Sequence, residues 1–382
     1  MNKLAAYCAA LVLLLSCAGP RGPRTQDWLY WRGDAALGGY TDMPLPADPV
    51  LLWSHATDSR TVASPLVLGG TVYWPERRGT LHGVDASGQE VYTRALDTYI
   101  ESTPLILDSM LYIGCISGRL EALDLSDRGR GWSFDTEGQI SAAPNAALLT
   151  GRDAIVVGSY DNWLYCVDRA DGSLLSRYES GYYINGAVAV AGDVLLVGGC
   201  DAWLRLIDLQ TGAQTDSLKL DAYIPASPAI RGSTAYVGDY AGNLYAVDFR
   251  DRRITRSRKL YAAPEPDGEF TSLPAVNADC VVFFRGDQTL AAVDRRTGEP
   301  VWETLMKGRS GESAPLIARD RVLACTRTGI ISILDLRDGR VVWEYDAGEE
   351  ILGSPAVVSG RFYVLTARGT LLCFGSAKHK RL

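Results

Sequence analysis

Short apolar runs recur along the chain in one repeating order. A typical unit opens with a serine and a proline one or two residues apart and an apolar stretch, passes through a glycine turn into a second apolar stretch, and ends on G-x-L-x-x-x-D or a close variant. The copy that begins at Pro228 shows this order clearly, with its later stretches at 235–238 and 244–248. Apolar positions alternate with others, and Val, Ile and Tyr are frequent. This predicts β-strands bounded by tight turns rather than helices.

A fourth strand follows the turn after the closing aspartate, and it is clearest at Val301–Trp302 and Val342–Trp343. The aspartate recurs at spacings of 39 to 46 residues, at Asp85, Asp124, Asp168, Asp208, Asp248, Asp294 and Asp335. An eighth copy has Phe374 in that position, and Val188 replaces the opening proline of the fourth copy. A period of about 40–45 residues that holds several short strands is typical of a β-propeller. We therefore predict an all-β, eight-bladed β-propeller with four antiparallel strands per blade.

The two ends of the repeated region complement each other. The stretch Leu51–Trp53 looks like a fourth strand with no unit before it, whereas the last unit stops at Phe374 without a fourth strand. We expect the N-terminal strand to complete the C-terminal blade, which closes the ring over residues 51–375 and removes exposed sheet edges.

The N-terminus is predicted to be a targeting segment. Lys3 precedes an apolar run that ends in Ser16-Cys17, a pattern that resembles the bacterial lipobox. We expect a signal peptide over 1–16, a lipidated Cys17 followed by a tether and lead-in segment over 17–50, and a basic tail over 376–382. With Ala18 after the cysteine, the expected location is the outer membrane, facing the periplasm. An ordinary secretory signal or a retained membrane anchor are the alternatives.

Composition narrows the classes of function. The chain is 47% hydrophobic and 22% charged, as in a folded protein, and its net charge of −7 argues against nucleic-acid binding. Only three histidines occur, and the six cysteines after Cys17 have no C-x-x-C spacing, so we predict no metal site. Their disulfide state stays open. We expect a monomeric propeller.

One stretch identifies the type of repeat. Residues 292–302 (AVDRRTGEPVW) resemble the A-x-D-x-x-T-G-x-x-x-W motif of the pyrroloquinoline-quinone (PQQ) repeat family, and 333–343 and 122–132 are variants. The lead-in stretch 28–33 (WLYWRG) is similar to the W-x-x-x-R-G segment of such proteins. The aspartates and glycines are expected to form turns, and the tryptophans to pack against neighbouring blades. The tryptophans in that slot are Trp53, Trp132, Trp302 and Trp343.

The resemblance implies alternative functions. Length, lipid anchor and blade number are most like the BamB-type propeller lipoproteins, which implies a non-catalytic scaffold whose partner is an envelope protein of outer-membrane assembly. The first alternative is a quinoprotein oxidoreductase with PQQ and Ca²⁺, but the chain has no adjacent cysteine pair and few insertions for a pocket lid. The second is a propeller that binds a small ligand or a glycan. No residue is predicted to be catalytic.

Candidate binding residues lie in the loops that lead into the inner strands, because propellers usually bind partners at the rim of the funnel. In each blade, one residue lies five positions before the opening proline or the residue in its place. The candidate binding residues are taken from these positions and from their neighbours in the same loops. Together they predict an acidic, tyrosine-bearing rim that binds protein, although the tyrosines could simply cover the funnel. The candidates are Arg60, Tyr99, Glu101, Tyr182, Tyr183, Asn185, Tyr223, Glu269 and Glu350.

Overall fold

The protein folds as a ring of eight sheets. The computed structural model describes residues 27–57, 59–127, 129–264, 270 and 272–378, so that the predicted signal peptide, Cys17, Glu269 and the end of the basic tail lie outside the described residues. Strands dominate this part of the chain, together with a short 3-10 helix at Trp31–Gly33. Each sheet contains four antiparallel strands, and in seven of the eight sheets these four strands follow one another along the chain. The predicted eight-bladed, all-β propeller is confirmed.

Two strands, β1 (Tyr40–Thr41) and β2 (Pro49–Ala56), precede the first blade. Each blade then runs from an inner strand beside the central channel to an outer strand at the perimeter. Blades 1 to 4 contain β3 (Leu66–Leu68), β4 (Thr71–Pro75), β5 (Thr80–Val84), β6 (Glu90–Ala95); β7 (Leu105–Leu107), β8 (Met110–Gly114), β9 (Arg119–Asp124), β10 (Arg130–Asp135); β11 (Asn145–Leu149), β12 (Arg152–Gly158), β13 (Trp163–Asp168), β14 (Leu174–Glu179); and β15 (Ala189–Ala191), β16 (Val194–Gly198), β17 (Trp203–Asp208), β18 (Gln214–Lys219).

The second half of the ring repeats this order. Blades 5 to 8 contain β19 (Ala229–Arg231), β20 (Thr234–Gly238), β21 (Leu244–Arg250), β22 (Arg253–Tyr261); β23 (Ala275–Val276), β24 (Cys280–Phe284), β25 (Thr289–Asp294), β26 (Pro300–Leu305); β27 (Leu316–Ala318), β28 (Arg321–Cys325), β29 (Ile330–Asp335), β30 (Val341–Asp346); and β31 (Ala356–Val358), β32 (Arg361–Leu365), β33 (Thr370–Ser376).

The ring is closed by the strand exchange that the sequence predicts. Strand β2 pairs antiparallel with β33, with Leu51 opposite Phe374 and Trp53 opposite Cys373, and it forms the outer strand of blade 8. The indole of Trp53 also donates to the carbonyl of Ala86 in blade 1 at 3.0 Å. One strand therefore ties the last blade to the first.

The repeated aspartates and tryptophans build turns and blade contacts. In blade 6, Asp294 accepts hydrogen bonds from the backbone N–H groups of Arg296 and Thr297, at 2.9 and 2.8 Å. In the same blade, the indole of Trp302 donates to the carbonyl of Leu336 in blade 7 at 2.8 Å. The indole of Trp132 in blade 2 donates to the carbonyl of Arg169 in blade 3 at 2.9 Å. These side chains thus hold turns and join neighbouring blades.

Strand direction gives the propeller two different faces. Inner strands run away from the loops that lead into them, so these loops and the turns between second and third strands share one face, which we call the rim. Turns between first and second strands, and between third and fourth strands, lie on the opposite face, which we call the base. Asp27 accepts a hydrogen bond from the N–H of Gly69, in a turn of the base.

Residues 28–41, which we call the central segment, run inside the channel. Their carbonyl oxygens accept one backbone hydrogen bond from the inner strand of each of six blades, all between 2.8 and 2.9 Å: Trp28 from Val67, Leu29 from Ile106, Ala35 from Val190, Ala36 from Ile230, Gly38 from Val276 and Gly39 from Ile317. The central segment ends in β1, which pairs in parallel with β27. This pairing gives blade 7 a fifth strand that the repeat pattern does not predict. The central segment thus fills the hub of the ring.

Candidate functional site: a closed funnel and a polarised rim

The floor of the funnel is formed by the central segment. Arg32 is 1% exposed, and its guanidinium donates to the carbonyls of Pro274 and Pro315 at 2.7 and 2.5 Å. Burial lowers the pKa of Arg32 to about 9, while the charge of Asp34 opposes this shift. The neighbouring Trp31 faces the funnel cavity. The channel is therefore closed by the chain itself.

Above Trp31 lies a small funnel. Its cavity has a volume of about 180 Å³, below the roughly 300–1,000 Å³ typical of small-molecule sites. Small side chains line most of it, and three of them, Ser64, Thr103 and Ser354, take part in hydrogen bonds that join neighbouring blades. The candidates Glu101 and Asn185 lie in this lining, whereas the other described candidates lie further out.

The described lining of the funnel does not fit PQQ. That quinone carries several carboxylates and would need cationic partners, but the lining contains no Lys or Arg, and no Asp to act as base. Of its carboxylates, Glu101 already lies 2.7 Å from the guanidinium of Arg77. Over the described residues, no group of three or more His, Cys, Asp or Glu is placed to hold a metal ion.

Tyrosines cluster on the rim of blades 3 to 5. The rings of Tyr160 and Tyr183 stack with centroids 5.4 Å apart, Tyr182 meets Tyr183 edge-on at 5.9 Å, and Tyr223 packs against Tyr240 at 5.4 Å. Tyr182, Tyr183 and Tyr223 remain about half exposed in spite of these contacts. We call these five residues the tyrosine crescent. None of the five is among the residues that line the funnel cavity.

The loops around the tyrosine crescent are acidic. Rim residues 136–141, 159–162, 180–186, 199–202, 221–226 and 239–242 contain no Lys or Arg. Their acidic residues are Glu137, Asp161, Asp201, Asp221 and Asp239. Two of these carboxylates pair with cations from strands: Asp201 with Arg205, and Asp221 with Lys259 at 2.7 Å, which lowers the pKa of Asp221. Asp239 is buried and accepts a hydrogen bond from the hydroxyl of Tyr245 at 2.9 Å. Amphipathic tyrosines beside acidic groups are suited to binding a protein.

Charged candidates on the other side of the rim form ion pairs. Arg60 lies 3.4 Å from Glu350, and Arg327 lies 3.5 Å from Glu350. Tyr99 is 61% exposed and stands apart from the tyrosine crescent, on the loop into blade 2. The structure therefore does not assemble all the candidates into one site. It divides them between a tyrosine-rich part and an ion-paired part of the rim.

Sequence reasoning missed three groups of residues at the site. Tyr160 and Tyr240 lie in turns between second and third strands, whereas the sequence candidates lie in the loops that lead into inner strands. A signal for them is present, because both tyrosines precede a third strand at similar positions. Trp31 and Arg32 belong to the lead-in motif, whose path through the channel was not predicted. Arg78 lies in the turn between the second and third strands of blade 1.

Cysteines and membrane-spanning elements add little to the site. Of the six cysteines after Cys17, which we call the body cysteines, five are buried and Cys200 is partly exposed. In the part of the chain that the structure describes, no helix has the length and apolar character needed to cross a bilayer.

Fold, repeat chemistry and rim together define an eight-bladed propeller of the PQQ-repeat class with a channel closed by its own chain. The chain belongs to the family of the outer membrane protein assembly factor BamB, whose family model matches residues 46–160, 116–287 and 286–379. A curated relative, BamB of Marinobacter adhaerens, is 30% identical over 116 residues, which are 30% of this chain and 28% of that protein. The match thus spans under a third of the relative's length.

Solved structures share the architecture. BamB from Moraxella catarrhalis aligns with a TM-score of 0.70 at 21% identity, over 86% of this chain and 98% of that one. The computationally designed protein Ika8 aligns with a TM-score of 0.73 at 16% identity, over 87% and 100%. Quinohemoprotein alcohol dehydrogenase from Comamonas testosteroni aligns with a TM-score of 0.75 at 15% identity, over 93% of this chain and 82% of that one. These identities show the fold alone, and the fold is common to a dehydrogenase and to a designed protein.

Proposed function

We propose that the protein is a non-catalytic, lipid-anchored scaffold of the cell envelope, with a role in outer-membrane protein assembly. The observation that carries this proposal is the exposed tyrosine crescent, set in acidic loops on one face of a propeller whose channel is closed. Membership of the BamB family supports the assembly role. A protein partner can dock on such a face, because exposed tyrosines offer apolar area together with a hydrogen-bonding group.

The anchor and the rim would then lie at opposite ends of the molecule. Asp27 is held at the base through Gly69, so the tether from Cys17 joins the propeller on that face. Asp27 lies ten positions after Cys17, so the distance between them is at most about 35 Å in an extended chain. The lipid would keep the base near the outer membrane and direct the rim into the periplasm, towards an assembly component.

We also propose that no quinone takes part. Purified protein mixed with PQQ and Ca²⁺ is expected to show neither a thermal shift nor dye reduction. Either signal would favour the quinoprotein oxidoreductase instead. For a glycan-binding role, the funnel offers Trp31 as an aromatic side chain on which a sugar could stack. The funnel itself is too small for a sugar chain.

Site-specific crosslinking tests the scaffold role. A photoreactive residue at Tyr183 or Tyr223 in the anchored full-length protein is expected to capture an outer-membrane assembly component in intact cells. The matched control is position 148, since Leu148 in blade 3 is equally exposed but close to the base. In cells lacking the native copy, the double variant Tyr183→Ala/Tyr223→Ala should fail to restore outer-membrane protein levels, whereas Leu148→Ala should restore them. Equal behaviour of the two variants would contradict the proposal.

A further inference from the structure

A groove runs along the rim between blades 1 and 2, away from the tyrosine crescent. Two adjoining cavities of about 500 and 510 Å³ form it, and they share Arg78, Tyr99 and Ile116. Such volumes fall in the range of ligand sites, unlike that of the funnel. The groove thus combines the volume of a ligand site with charged and aromatic walls.

Backbone contacts hold the walls of the groove in place. The N–H of Ile116 donates to the carbonyl of Tyr99 at 2.9 Å, and the N–H of Leu96 donates to that of Gly79 at 2.8 Å. Gly79 has φ +93°, and a Cβ there would lie 2.1 Å from the carbonyl oxygen of Thr98, so only glycine fits this close approach. The turn that carries Arg78 is therefore preformed.

One cation of the groove has no ion-pair partner among the described residues. Arg77 is paired with Glu101 at 2.7 Å, and Arg60 with Glu350 at 3.4 Å. Arg78 is exposed and forms no ion pair with any residue of the described chain. Asp97 is the other acidic group of the groove lining. A free guanidinium beside an exposed tyrosine is left to face an incoming ligand.

We propose that this groove binds an acidic segment of a partner protein, with a carboxylate on Arg78 and an apolar side chain against Tyr99 and Ile116. The guanidinium offers paired N–H donors that match a carboxylate. A polyphosphate or nucleic acid is less well matched, because a single unpaired cation cannot neutralise successive phosphates. The site is separate from the tyrosine crescent and does not depend on the function proposed for it.

A pair of labelled peptides tests the groove. Full-length protein in detergent is titrated with a short fluorescent peptide of alternating aspartate and phenylalanine, and with its lysine–phenylalanine counterpart, by anisotropy. The acidic peptide should bind and the basic one should not. Arg78→Glu should raise the Kd at least about tenfold, as expected for loss of a charge-assisted hydrogen bond, and Tyr99→Ala should also weaken binding.

Arg368→Glu is the matched control, because Arg368 occupies the same turn position in blade 8 but lies outside the groove. It should leave the Kd unchanged, and thermal melts should show all variants folded. Equal weakening by Arg78→Glu and Arg368→Glu would overturn the proposal. So would equal binding of both peptides, no binding of the acidic peptide, or its displacement by inorganic phosphate at equal charge concentration.

Discussion

The guanidinium of Arg32 lies 2.5 Å from the carbonyl oxygen of Pro315, a residue 283 positions further along the chain. A second donor of the same group reaches Pro274 at 2.7 Å. Both prolines open inner strands, so one side chain of the central segment holds blades 6 and 7 from inside the channel. Arg32 itself has φ +68°, a backbone conformation that costs energy and is maintained by these contacts.

Replacing Arg32 should weaken the whole ring. Arg32→Ala removes both hydrogen bonds and leaves two buried carbonyls without partners, which should lower the free energy of unfolding by about 2–4 kcal/mol. Arg32→Lys keeps the charge but cannot reach both carbonyls, so its loss should be intermediate. Guanidinium chloride unfolding followed by tryptophan fluorescence measures these changes. Arg296→Ala, at an exposed turn of the base, is the control, and an equal loss in that variant would contradict the role of Arg32.

Asp335 should make stability depend on pH. This carboxylate is buried and accepts hydrogen bonds from the guanidinium groups of Arg337, at 3.0 Å, and of Arg321, at 2.7 Å. The hydrogen bond from Arg337 is the main reason that the pKa of Asp335 is lowered. A group with a lowered folded-state pKa stabilises the protein above its unfolded value of about 3.9 and loses that contribution as the pH falls. Asp335→Asn should therefore cost about 2–3 kcal/mol at pH 7.

The cost of Asp335→Asn should shrink as the pH falls below about 4, because the unfolded wild-type chain then binds a proton at Asp335 while the folded carboxylate, with its lowered pKa, is still ionised. Chemical unfolding at a series of pH values follows the difference between the two proteins. Asp338→Asn, in the exposed part of the same turn, should change stability little at any pH. A difference between wild type and Asp335→Asn that stays constant down to pH 2 would show that the charge of Asp335 is not the cause.

Two glycines with similar backbones should differ in their tolerance of alanine. Gly339 has φ +70°, and a Cβ there would lie 2.5 Å from the indole of Trp302, whereas Gly360 has φ +74° and open space around it. Gly360→Ala should cost only the left-handed strain of about 1–2 kcal/mol. Gly339→Ala should cost about 1–3 kcal/mol more, because the tryptophan must move.

A double-mutant cycle isolates the contact between blades 6 and 7. In a Trp302→Ala background the part of the extra cost of Gly339→Ala that comes from the indole should disappear, while the contact of the new Cβ with Thr304 Oγ1, 2.7 Å away, remains. Thermal or chemical unfolding of the four proteins measures the coupling. No coupling between positions 302 and 339 would mean that the docked tryptophan does not fix the turn.

The blades could be predicted because each repeats the same side-chain pattern. Asp294 and Trp302 recur at fixed distances in other blades, and the missing outer strand after Phe374 pointed directly to β2. The path of the central segment could not be predicted in this way. Its contacts use backbone carbonyls of residues such as Leu29 and Gly38, and a carbonyl is present whatever the side chain.

The rim was predicted only in part, for a related reason. Tyr183 and Tyr223 follow the spacing rule for loops that lead into inner strands. Tyr160 and Tyr240 lie next to them in space but belong to turns between second and third strands. The spacing rule for loops that lead into inner strands therefore does not include them. Arg78 was missed because what distinguishes it is the lack of an ion-pair partner, which depends on where neighbouring charges point.

Cysteine reactivity offers a check of the described burial. Among the six body cysteines only Cys200, in a rim turn of blade 4, is partly exposed. Burial raises the pKa of Cys280, Cys325 and Cys373 to about 12, which leaves these thiols both shielded and protonated at neutral pH. A maleimide added to the native protein should modify Cys200 and none of the other five, as read by peptide mass spectrometry. Cys200→Ser should abolish this labelling and denaturant should expose all the others, whereas native labelling of Cys325 would show that blade 7 opens.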